Sequence, residues 1–217
     1  MANAHVAARH TKQPVQLVIL AKAPIPGLSK TRLIPALGPV GAARLQRRLT
    51  RVAVRTCVEA GLGPVTLWCT PDTRHRFFRA LQKTIGIDCR LQPSGDLGRR
   101  MHTAFRLHCG QGPVLLIGTD CPALRPDQLR RAAQSLIQGD DAVVHPAEDG
   151  GYVLIGLREP RAALFSNMSW STDRVMSDTR ERAHALGLKM REFETLWDVD
   201  RPDDLVRLHA IDGAGIA

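Results

Sequence analysis

The chain has 217 residues, of which 44% are hydrophobic and 24% are charged, a balance typical of a single globular domain with a full core. No apolar run approaches the roughly 20 residues that a membrane-spanning helix needs, which argues against a membrane protein. The formal net charge of +9 favours an anionic partner, either a nucleotide-like small molecule or a nucleic acid.

The cysteine and histidine residues form no recognisable disulfide or zinc pattern. Five cysteines are scattered without a Cys-x-x-Cys pair, and eight histidines form no His-Glu-x-x-His signature. This usage predicts a cytoplasmic protein without structural zinc. The polar residues 1–14 lack the apolar centre of a secretory signal and are predicted to be a flexible tail. One domain is then expected over residues 15–211, with a second tail at 212–217.

A short apolar strand is predicted at residues 16–20, and a loop rich in proline and glycine follows it. Glycine and proline let a backbone approach a ligand closely, and fixed cations supply the charge that a di- or triphosphate requires. A solvated basic turn is the alternative interpretation, and the glycine spacing of a Walker motif is missing. The candidate phosphate-binding residues of this basic loop are Ala21, Lys22, Pro26, Gly27, Lys30, Thr31 and Arg32.

The next elements alternate between helix and strand. A helix is predicted over residues 39–60, with apolar residues on one side and an arginine stripe, usually just a solvated face, on the other. Strands at 64–70 and 88–91 enclose a second helix that Asp72 caps and that runs to about residue 85. Alternation of this kind predicts parallel βαβ units and therefore an α/β fold.

Residues 92–101, QPSGDLGRRM, form a glycine-rich start to a third helix. Such a start can bind an anion on its free N–H groups, to which Arg99 and Arg100 would add charge. Gly95, Asp96 and Gly98 are therefore candidate phosphate ligands. An ordinary capped turn explains the same residues equally well.

The strand at residues 114–117 ends at a glycine and leads into Thr119 and Asp120. Ligands of open parallel sheets bind beyond the carboxyl ends of the strands, so Asp120 and Thr119 are predicted to lie where a metal or phosphate would bind. A turn or helix-capping role for Asp120 is the alternative. A fourth helix is expected to begin at residue 126 or 127 and to end before Gly139.

Two strands at 141–146 and 152–157 are joined by a tight turn and predict an antiparallel hairpin. The fold class is therefore a single Rossmann-like three-layer α/β/α domain, with a mainly parallel mixed sheet and a hairpin near 141–157. In the turn, Glu148 and Asp149 either face a substrate or only shape the turn. The Gly150–Gly151 pair permits a positive φ or a close approach of a ligand.

Another helix follows residues 168–173, with Thr172 or Asp173 near its N-cap, and a late strand covers 189–193. Asp198 and Asp200 then point the same way if the backbone is extended. The acids at 203 and 204 begin a final helix, where they favour the helix dipole, and are interpreted as structural.

These segments suggest one site. Magnesium prefers oxygen ligands and keeps several waters, so Asp120 and Asp200 fit a Mg²⁺ or Mn²⁺ ion if the fold brings them together. Lys22, Lys30 and Arg32 would add positive charge near a leaving group. The predicted catalytic residues are therefore Lys22, Lys30, Arg32 and Asp120.

A family resemblance rests on five ordered segments: AKAPIPGLSKTRLIPALG, QPSGDLGRRM, GTDCPAL, PAEDGGYVLIGL and LWDVDRPDDL. Together they resemble a widespread bacterial family of nucleotide-diphospho-sugar transferase type, classed as a domain of unknown function and often called a glycosyltransferase. The chain is more distantly similar to phospholactate guanylyltransferase and molybdenum-cofactor nucleotidyltransferases.

The resemblance implies that the three cations of the basic loop lie along phosphates. It also implies that Asp120 holds the metal, with Asp200 as the favoured second ligand and Asp198 beside it. Gly150, Gly151 and Tyr152 would line the acceptor side of the pocket, next to Glu148 and Asp149.

The favoured hypothesis is metal-dependent nucleotidyl transfer from a nucleoside triphosphate to a small phosphorylated or sugar-like acceptor, because a loop with three cations suits a pyrophosphate leaving group. Glycosyl transfer from a nucleotide sugar is the alternative. A non-enzymatic nucleotide- or nucleic-acid-binding protein, and a nucleophilic role for Cys121, are further alternatives. No membrane partner is expected, and the chain is predicted to be a monomer or homodimer.

Overall fold

A seven-stranded sheet forms the centre of the computed structural model, which describes residues 14–212 and the side chains of residues 14–210. In chain order the strands are β1 (Gln16–Lys22), β2 (Val65–Thr70), β3 (Asp88–Leu91), β4 (Val114–Ile117), β5 (Ala142–Pro146), β6 (Tyr152–Leu157) and β7 (Met190–Glu192). Their order in the sheet is β3-β2-β1-β4-β6-β5-β7. Apart from residues 14 and 212, the two predicted tails lie outside the described residues.

Six α-helices connect or follow these strands: α1 (Ile34–Ala60), α2 (Arg76–Ile85), α3 (Leu97–His108), α4 (Pro126–Ile137), α5 (Val175–Ala185) and α6 (Asp204–Asp212). Short 3-10 turns occupy Thr31–Leu33, Cys109–Gln111 and Ala162–Leu164. Between residues 14 and 212, none of the helices is both long and apolar enough to cross a bilayer.

The sheet is mixed, as the sequence predicts. Strand β1 pairs in parallel with β2 and β4, and β2 pairs in parallel with β3. Strand β6 runs antiparallel to both β4 and β5, which confirms the predicted hairpin, and β7 returns in parallel beside β5. The carboxyl ends of β1 and β4 therefore meet at one edge of the sheet, where the basic loop and Asp120 begin.

Helices cover both faces of the sheet, because side chains along each strand alternate between the faces. Leu17 and Ile19 of β1 pack in a cluster with α1, α2 and α4, whereas Val18 packs in a second cluster with α3 and α5. A third cluster joins Val199 and Leu208 to α1. The predicted three-layer α/β/α architecture is confirmed, and the third cluster holds the late segment around residue 199 near the sheet edge.

Two helix starts differ from the sequence predictions, and a third agrees in position. Helix α1 begins at Ile34 rather than at residue 39, with a kink at Gly38, whose φ of 67° is not helical. The ring of His75 caps α2, because the carboxylate of Asp72 is engaged by the backbone N–H groups of residues 74 and 75. Helix α5 begins at Val175 with Arg174 as its N-cap; Asp173 is next to that cap, as predicted, but no side chain forms a capping hydrogen bond.

Candidate active site

Two adjoining cavities open at the edge of the sheet where β1 and β4 end. The larger, about 520 Å³, has four cationic residues in its wall and is called here the basic cavity: Lys22, Lys30, Arg32 and Arg100. The smaller, about 330 Å³, has four carboxylates in its wall and is called the acidic cavity: Asp120, Asp149, Asp198 and Asp200. Asp120, Asp200 and Arg32 line both cavities, so they mark the boundary between them.

Lys30 joins three distant parts of the chain at this boundary. Its backbone is left-handed, with φ 49° and ψ 46°, a conformation that costs a non-glycine residue free energy and is found at functional sites. The side chain is only 4% exposed, and its Nζ lies 2.9 Å from Oδ1 of Asp120. The same ammonium donates a hydrogen bond to the carbonyl of Val199. A buried ammonium needs such partners, so Lys30 fixes the positions of both segments.

A buried polar chain orients Asp120 from the other side. The Nε2 of Gln46 on α1 lies 3.0 Å from Oγ1 of Thr119, which in turn donates a hydrogen bond of 3.1 Å to Oδ1 of Asp120. Gln46 and Thr119 are both buried. Sequence reasoning missed Gln46, although a polar residue inside the apolar stripe of α1 was a detectable signal.

The Asp198–Asp200 segment lies directly beside Asp120. The N–H of Val199 donates to the carbonyl of Asp120 at 2.8 Å, and the buried Val199 side chain anchors the segment in the core. Asp200 forms an ion pair with Arg32 of the basic loop. The carboxylate of Asp204, at the start of α6, accepts hydrogen bonds from the N–H groups of residues 200 and 201, which confirms its structural role.

The pKa of Asp198 is raised to about 6. Burial is the largest cause, and the negative charges of Asp149, Asp120 and Asp200 add to it, whereas Lys30 opposes the rise. Like charges that gather in a partly dry site disfavour the ionised form. The structure therefore brings together all three acids that the sequence proposed as metal ligands.

The donor set fits a divalent cation that shares its coordination with a substrate. Among residues 14–210, Lys30 and Thr119 both contact Oδ1 of Asp120, and Oδ2 forms no hydrogen bond. In the same part of the chain, no group of three or more His, Cys, Asp or Glu side chains is arranged so that it could hold a metal ion by itself. An ion here would rest on one or two carboxylates, completed by water and phosphate oxygens, as Mg²⁺ prefers.

The floor of the basic cavity includes a glutamine that the sequence reasoning did not single out. Nε2 of Gln92 donates to the carbonyls of Ala21 and Trp68, at 3.1 and 2.8 Å, and its Oε1 accepts from Arg100. Gln92 thereby ties the end of β1 to α3 and directs Arg100 towards the cavity. Lys22 is exposed at the same cavity, at the last position of β1.

Several proposed phosphate ligands also have structural contacts within the protein. Asp96 is the N-cap of α3, accepting the N–H of Arg99 at 2.8 Å. A Cβ on Gly98 would lie 2.7 Å from the Trp170 ring, so this glycine permits close packing. Pro26, Gly27, Gly95, Asp96 and Gly98 do not line the basic or the acidic cavity, whereas Ala21, Thr31 and Thr119 line the basic one. Phosphate binding by all these residues stays a prediction.

The proposed acceptor residues are split between two cavities. Asp149, Gly151 and Tyr152 line the acidic cavity, and Oδ1 of Asp149 accepts the N–H of Gly151 at 2.9 Å. Gly150, with φ 88°, instead packs against the backbone of residue 173. Glu148 lines an outer cavity of about 560 Å³ and forms a bidentate ion pair with Arg207.

A family model described as "Uncharacterized protein conserved in bacteria (DUF2064)" matches residues 53–172. The chain belongs to this family. The matched range of the DUF2064 chain contains Asp120 and the turn before β6. The basic loop and the Asp198–Asp200 segment lie outside it. No curated protein matches the chain.

Solved structures with the same fold include several transferases. A protein from Desulfovibrio desulfuricans G20, described as a nucleotide-diphospho-sugar transferase, is 26% identical, with a TM-score of 0.84 over 93% of this chain and 89% of that one. The 4-diphosphocytidyl-2C-methyl-D-erythritol synthase of Anaerococcus prevotii DSM 20548 is 10% identical, with a TM-score of 0.62 and coverage of 93% and 99%. The inositol-1-phosphate CTP transferase of T. maritima is 13% identical, with a TM-score of 0.58 and coverage of 93% and 97%.

Cys121 lines the acidic cavity of the DUF2064 chain directly after Asp120. Burial raises the pKa of its thiol to about 12, and the negative charges of Asp198 and Asp120 add to the rise. The thiol is therefore protonated at neutral pH, and a protonated thiol is a weak nucleophile. This environment disfavours the alternative in which Cys121 attacks a substrate.

Proposed function

We propose that this chain is a transferase that acts on a nucleotide, and specifically that it transfers a nucleotidyl group from a nucleoside triphosphate to a small acceptor. The observation that carries the proposal is the position of Asp120. Its side chain, 44% exposed, lies on the boundary between a cavity with cationic walls and a cavity with anionic walls. Such a pair of cavities provides separate places for a charged donor and its acceptor on either side of one reaction centre.

The basic cavity suits the triphosphate. Lys22 and Arg100 offer side-chain donors, and the Arg32 guanidinium, 61% exposed, can exchange its contact with Asp200 for a phosphate oxygen. Lys30 is different, because its ammonium already contacts Asp120 and Val199. We assign Lys30 to positioning Asp120 rather than to carrying the phosphates.

The proposed reaction is displacement at the α-phosphate. An acceptor oxygen forms a bond to phosphorus, the bond to the bridging oxygen breaks, and pyrophosphate leaves with the bonding electrons. A divalent cation bound at Asp120 and Asp200 would offset negative charge on the phosphates. The protein orients the two substrates, and Arg32 with Lys22 stabilises the negative charge that develops on the leaving group.

Glycosyl transfer from a nucleotide sugar is a second candidate. It is favoured by the high structural similarity to the Desulfovibrio protein described as a nucleotide-diphospho-sugar transferase. In that reaction the acceptor oxygen attacks the anomeric carbon, and a nucleoside diphosphate leaves. The same cavities would serve, with the diphosphate in the basic cavity.

The leaving group distinguishes the two reactions. The full-length protein is incubated with each nucleoside triphosphate or each nucleotide sugar, with Mg²⁺ or Mn²⁺ and a mixture of acceptors. Release of pyrophosphate supports nucleotidyl transfer, and release of nucleoside diphosphate supports glycosyl transfer. If neither is released and nucleotides with Mg²⁺ leave the melting temperature unchanged, the proposal is wrong. Salt-sensitive binding to duplex DNA would then favour the nucleic-acid-binding alternative.

A further inference from the structure

The acceptor side of the site is strongly anionic, although the protein as a whole is cationic. We infer, building on the proposed function, that the acceptor is an uncharged polyhydroxyl compound, a sugar or polyol, and not a phosphate ester. The acidic cavity has four carboxylates and a single cationic side chain, Arg32, among its lining residues. The formal net charge of the chain is +9, so the negative charge of this cavity is opposite in sign to the charge of the whole protein.

The excess of negative charge continues into the outer cavity, which shares part of its wall with the acidic cavity. The outer cavity shares Asp149, Asp198 and Asp200 with the acidic cavity and adds three further carboxylates: Glu148, Asp173 and Asp204. Its two lining cations are Arg32 and Arg201. Arg32 is ion-paired with Asp200 and, in the proposed function, turns to the phosphates of the donor, so it is not available to an acceptor phosphate.

A bound divalent cation does not reverse this balance. When Lys30, which contacts Asp120, and Arg207, which pairs with Glu148, are also counted, two added positive charges would bring the acidic cavity to neutral and leave the outer cavity with a net negative charge, if all the lining carboxylates are ionised. The donor triphosphate would bring more negative charge to the same boundary. A phosphate ester would therefore meet net negative charge in the outer cavity and beside the bound donor, and like charges placed together in an interface oppose binding.

The remaining lining groups suit hydroxyl groups. The rings of Tyr152 and Trp170 form part of the wall, and Ser171 and Thr172 bring hydroxyl groups. Aromatic faces give an apolar surface for the C–H side of a sugar, and hydroxyls and carboxylates accept or donate hydrogen bonds at its rim. Ser171 has a left-handed backbone, with φ 65°, so this segment holds an unfavourable conformation at the cavity.

The proton transfer that the reaction needs agrees with an uncharged hydroxyl acceptor. A phosphate ester is already ionised and needs no base before it attacks. A hydroxyl group must lose its proton as its oxygen forms the new bond to phosphorus, while pyrophosphate departs with the electrons of the broken bond. The proton passes to a carboxylate of the cavity, and Asp149 is the lining acid that stands outside the proposed metal ligands.

Matched pairs of probes test the inference. The full chain, with Mg²⁺ and the nucleotide that raises its melting temperature most, is titrated with myo-inositol or myo-inositol 1-phosphate, glucose or glucose 1-phosphate, and glycerol or glycerol 3-phosphate. The melting temperature and product mass are measured. We expect at least one uncharged probe to bind at least about tenfold more tightly than its phosphate ester. Preference for the phosphate esters overturns the inference, and so does failure of all the uncharged probes to bind.

Charge variants show whether the preference arises from the cavity. Asp149→Asn retains the oxygen that accepts the Gly151 N–H but removes one negative charge. We expect it to reduce, several-fold, the preference for an uncharged probe over its phosphate ester. Asp88→Asn makes the same charge change on the exposed edge strand β3, where Asp88 pairs with Arg90, and should leave the preference unchanged. Equal behaviour of the two variants contradicts a local origin of the preference.

Binding of the donor nucleotide tests the proposed function separately from the inference about the acceptor. Stabilisation by a nucleotide with Mg²⁺ measures binding of the donor, independently of any acceptor. If it is present while the phosphate esters bind better, only the inference about the acceptor fails. If it is absent and neither pyrophosphate nor nucleoside diphosphate is released, the proposed function fails.

Discussion

The ammonium of Lys30 lies 2.9 Å from the carboxylate of Asp120, although 90 residues separate them in the chain. This contact connects the basic loop after β1 to the acid after β4. The second bond of Lys30, to the carbonyl of Val199, brings the Asp198–Asp200 segment to the same place. One buried cation thus assembles the boundary between the two cavities.

Replacing Asp120 should abolish turnover while the protein stays folded. In Asp120→Asn the proposed cation ligand loses its charge, and Lys30 loses its counterion. We expect turnover to fall at least about 100-fold and the free energy of unfolding to fall by about 1–3 kcal/mol. Pyrophosphate or nucleoside diphosphate release and urea unfolding measure the two effects. Near-normal turnover would contradict the assignment, and Asp88→Asn serves as the control.

The two lysines of the basic loop should behave differently. Lys30→Met removes both bonds to Asp120 and Val199, so amide hydrogen exchange in residues 198–200 should become at least about tenfold faster. Lys22→Met removes an exposed cation and should weaken nucleotide binding while exchange in residues 198–200 is unchanged. Equal exchange rates in the two variants would show that Lys30 does not hold the segment.

Adding a methyl group to Gly150 should disrupt the acceptor side. Its φ is 88°, and a Cβ would lie 2.2 Å from the carbonyl oxygen of Asp173. We expect Gly150→Ala to lower the free energy of unfolding by about 3 kcal/mol, because both the backbone and the contact become strained. Gly110→Ala is the matched control, since nothing lies within 4 Å of its added Cβ. Similar melting temperatures for the two variants would contradict the packing described here.

Stability in acid should depend on Asp140, which joins α4 to β7. Burial acts to raise the pKa of Asp140, but hydrogen bonds from Ser135, Lys189 and Arg191 outweigh it and hold the pKa at about 2. Because this lies below the ordinary value of 3.8, the stabilisation is present above pH 4 and is lost as the pH falls towards 2.

The variant Asp140→Asn isolates this effect. At pH 7 it should be less stable than the natural chain by about 2 kcal/mol, and the difference should shrink between about pH 4 and pH 2. Urea unfolding at several pH values measures it. A difference that stays constant down to pH 2 would show that the charge of Asp140 is not responsible.

Much of the architecture was predictable because buried strands are short apolar runs bounded by turn residues. Strands β3, β4 and β6 have the predicted bounds, and the tight turn before β6 correctly implied an antiparallel hairpin. Helix starts were less predictable. Asp72 is a typical capping residue, yet its carboxylate closes the preceding turn and leaves the cap of α2 to His75.

The residues that orient the site were harder to recognise. Gln46 and Gln92 carry no charge, and although Gln92 begins the segment QPSGDLGRRM, the importance of both comes from the buried partners that they contact. Asp96 and Gly98 had the expected pattern for anion binding, but the pattern is equally compatible with a helix cap and a close packing contact. Local sequence cannot separate these roles, because they differ only in what lies across from the residue.

By itself, the sequence determined the layered α/β fold, the edge of the sheet at which polar residues gather, and the candidate acids and cations. These follow from periodicity and chain order, which are local properties. Only the tertiary structure decided that Lys30 is buried against Asp120, and that most of the cations line one cavity while most of the carboxylates line the next. Charge separation of this kind depends on distances between segments far apart in the chain, and the packing of the core sets those distances.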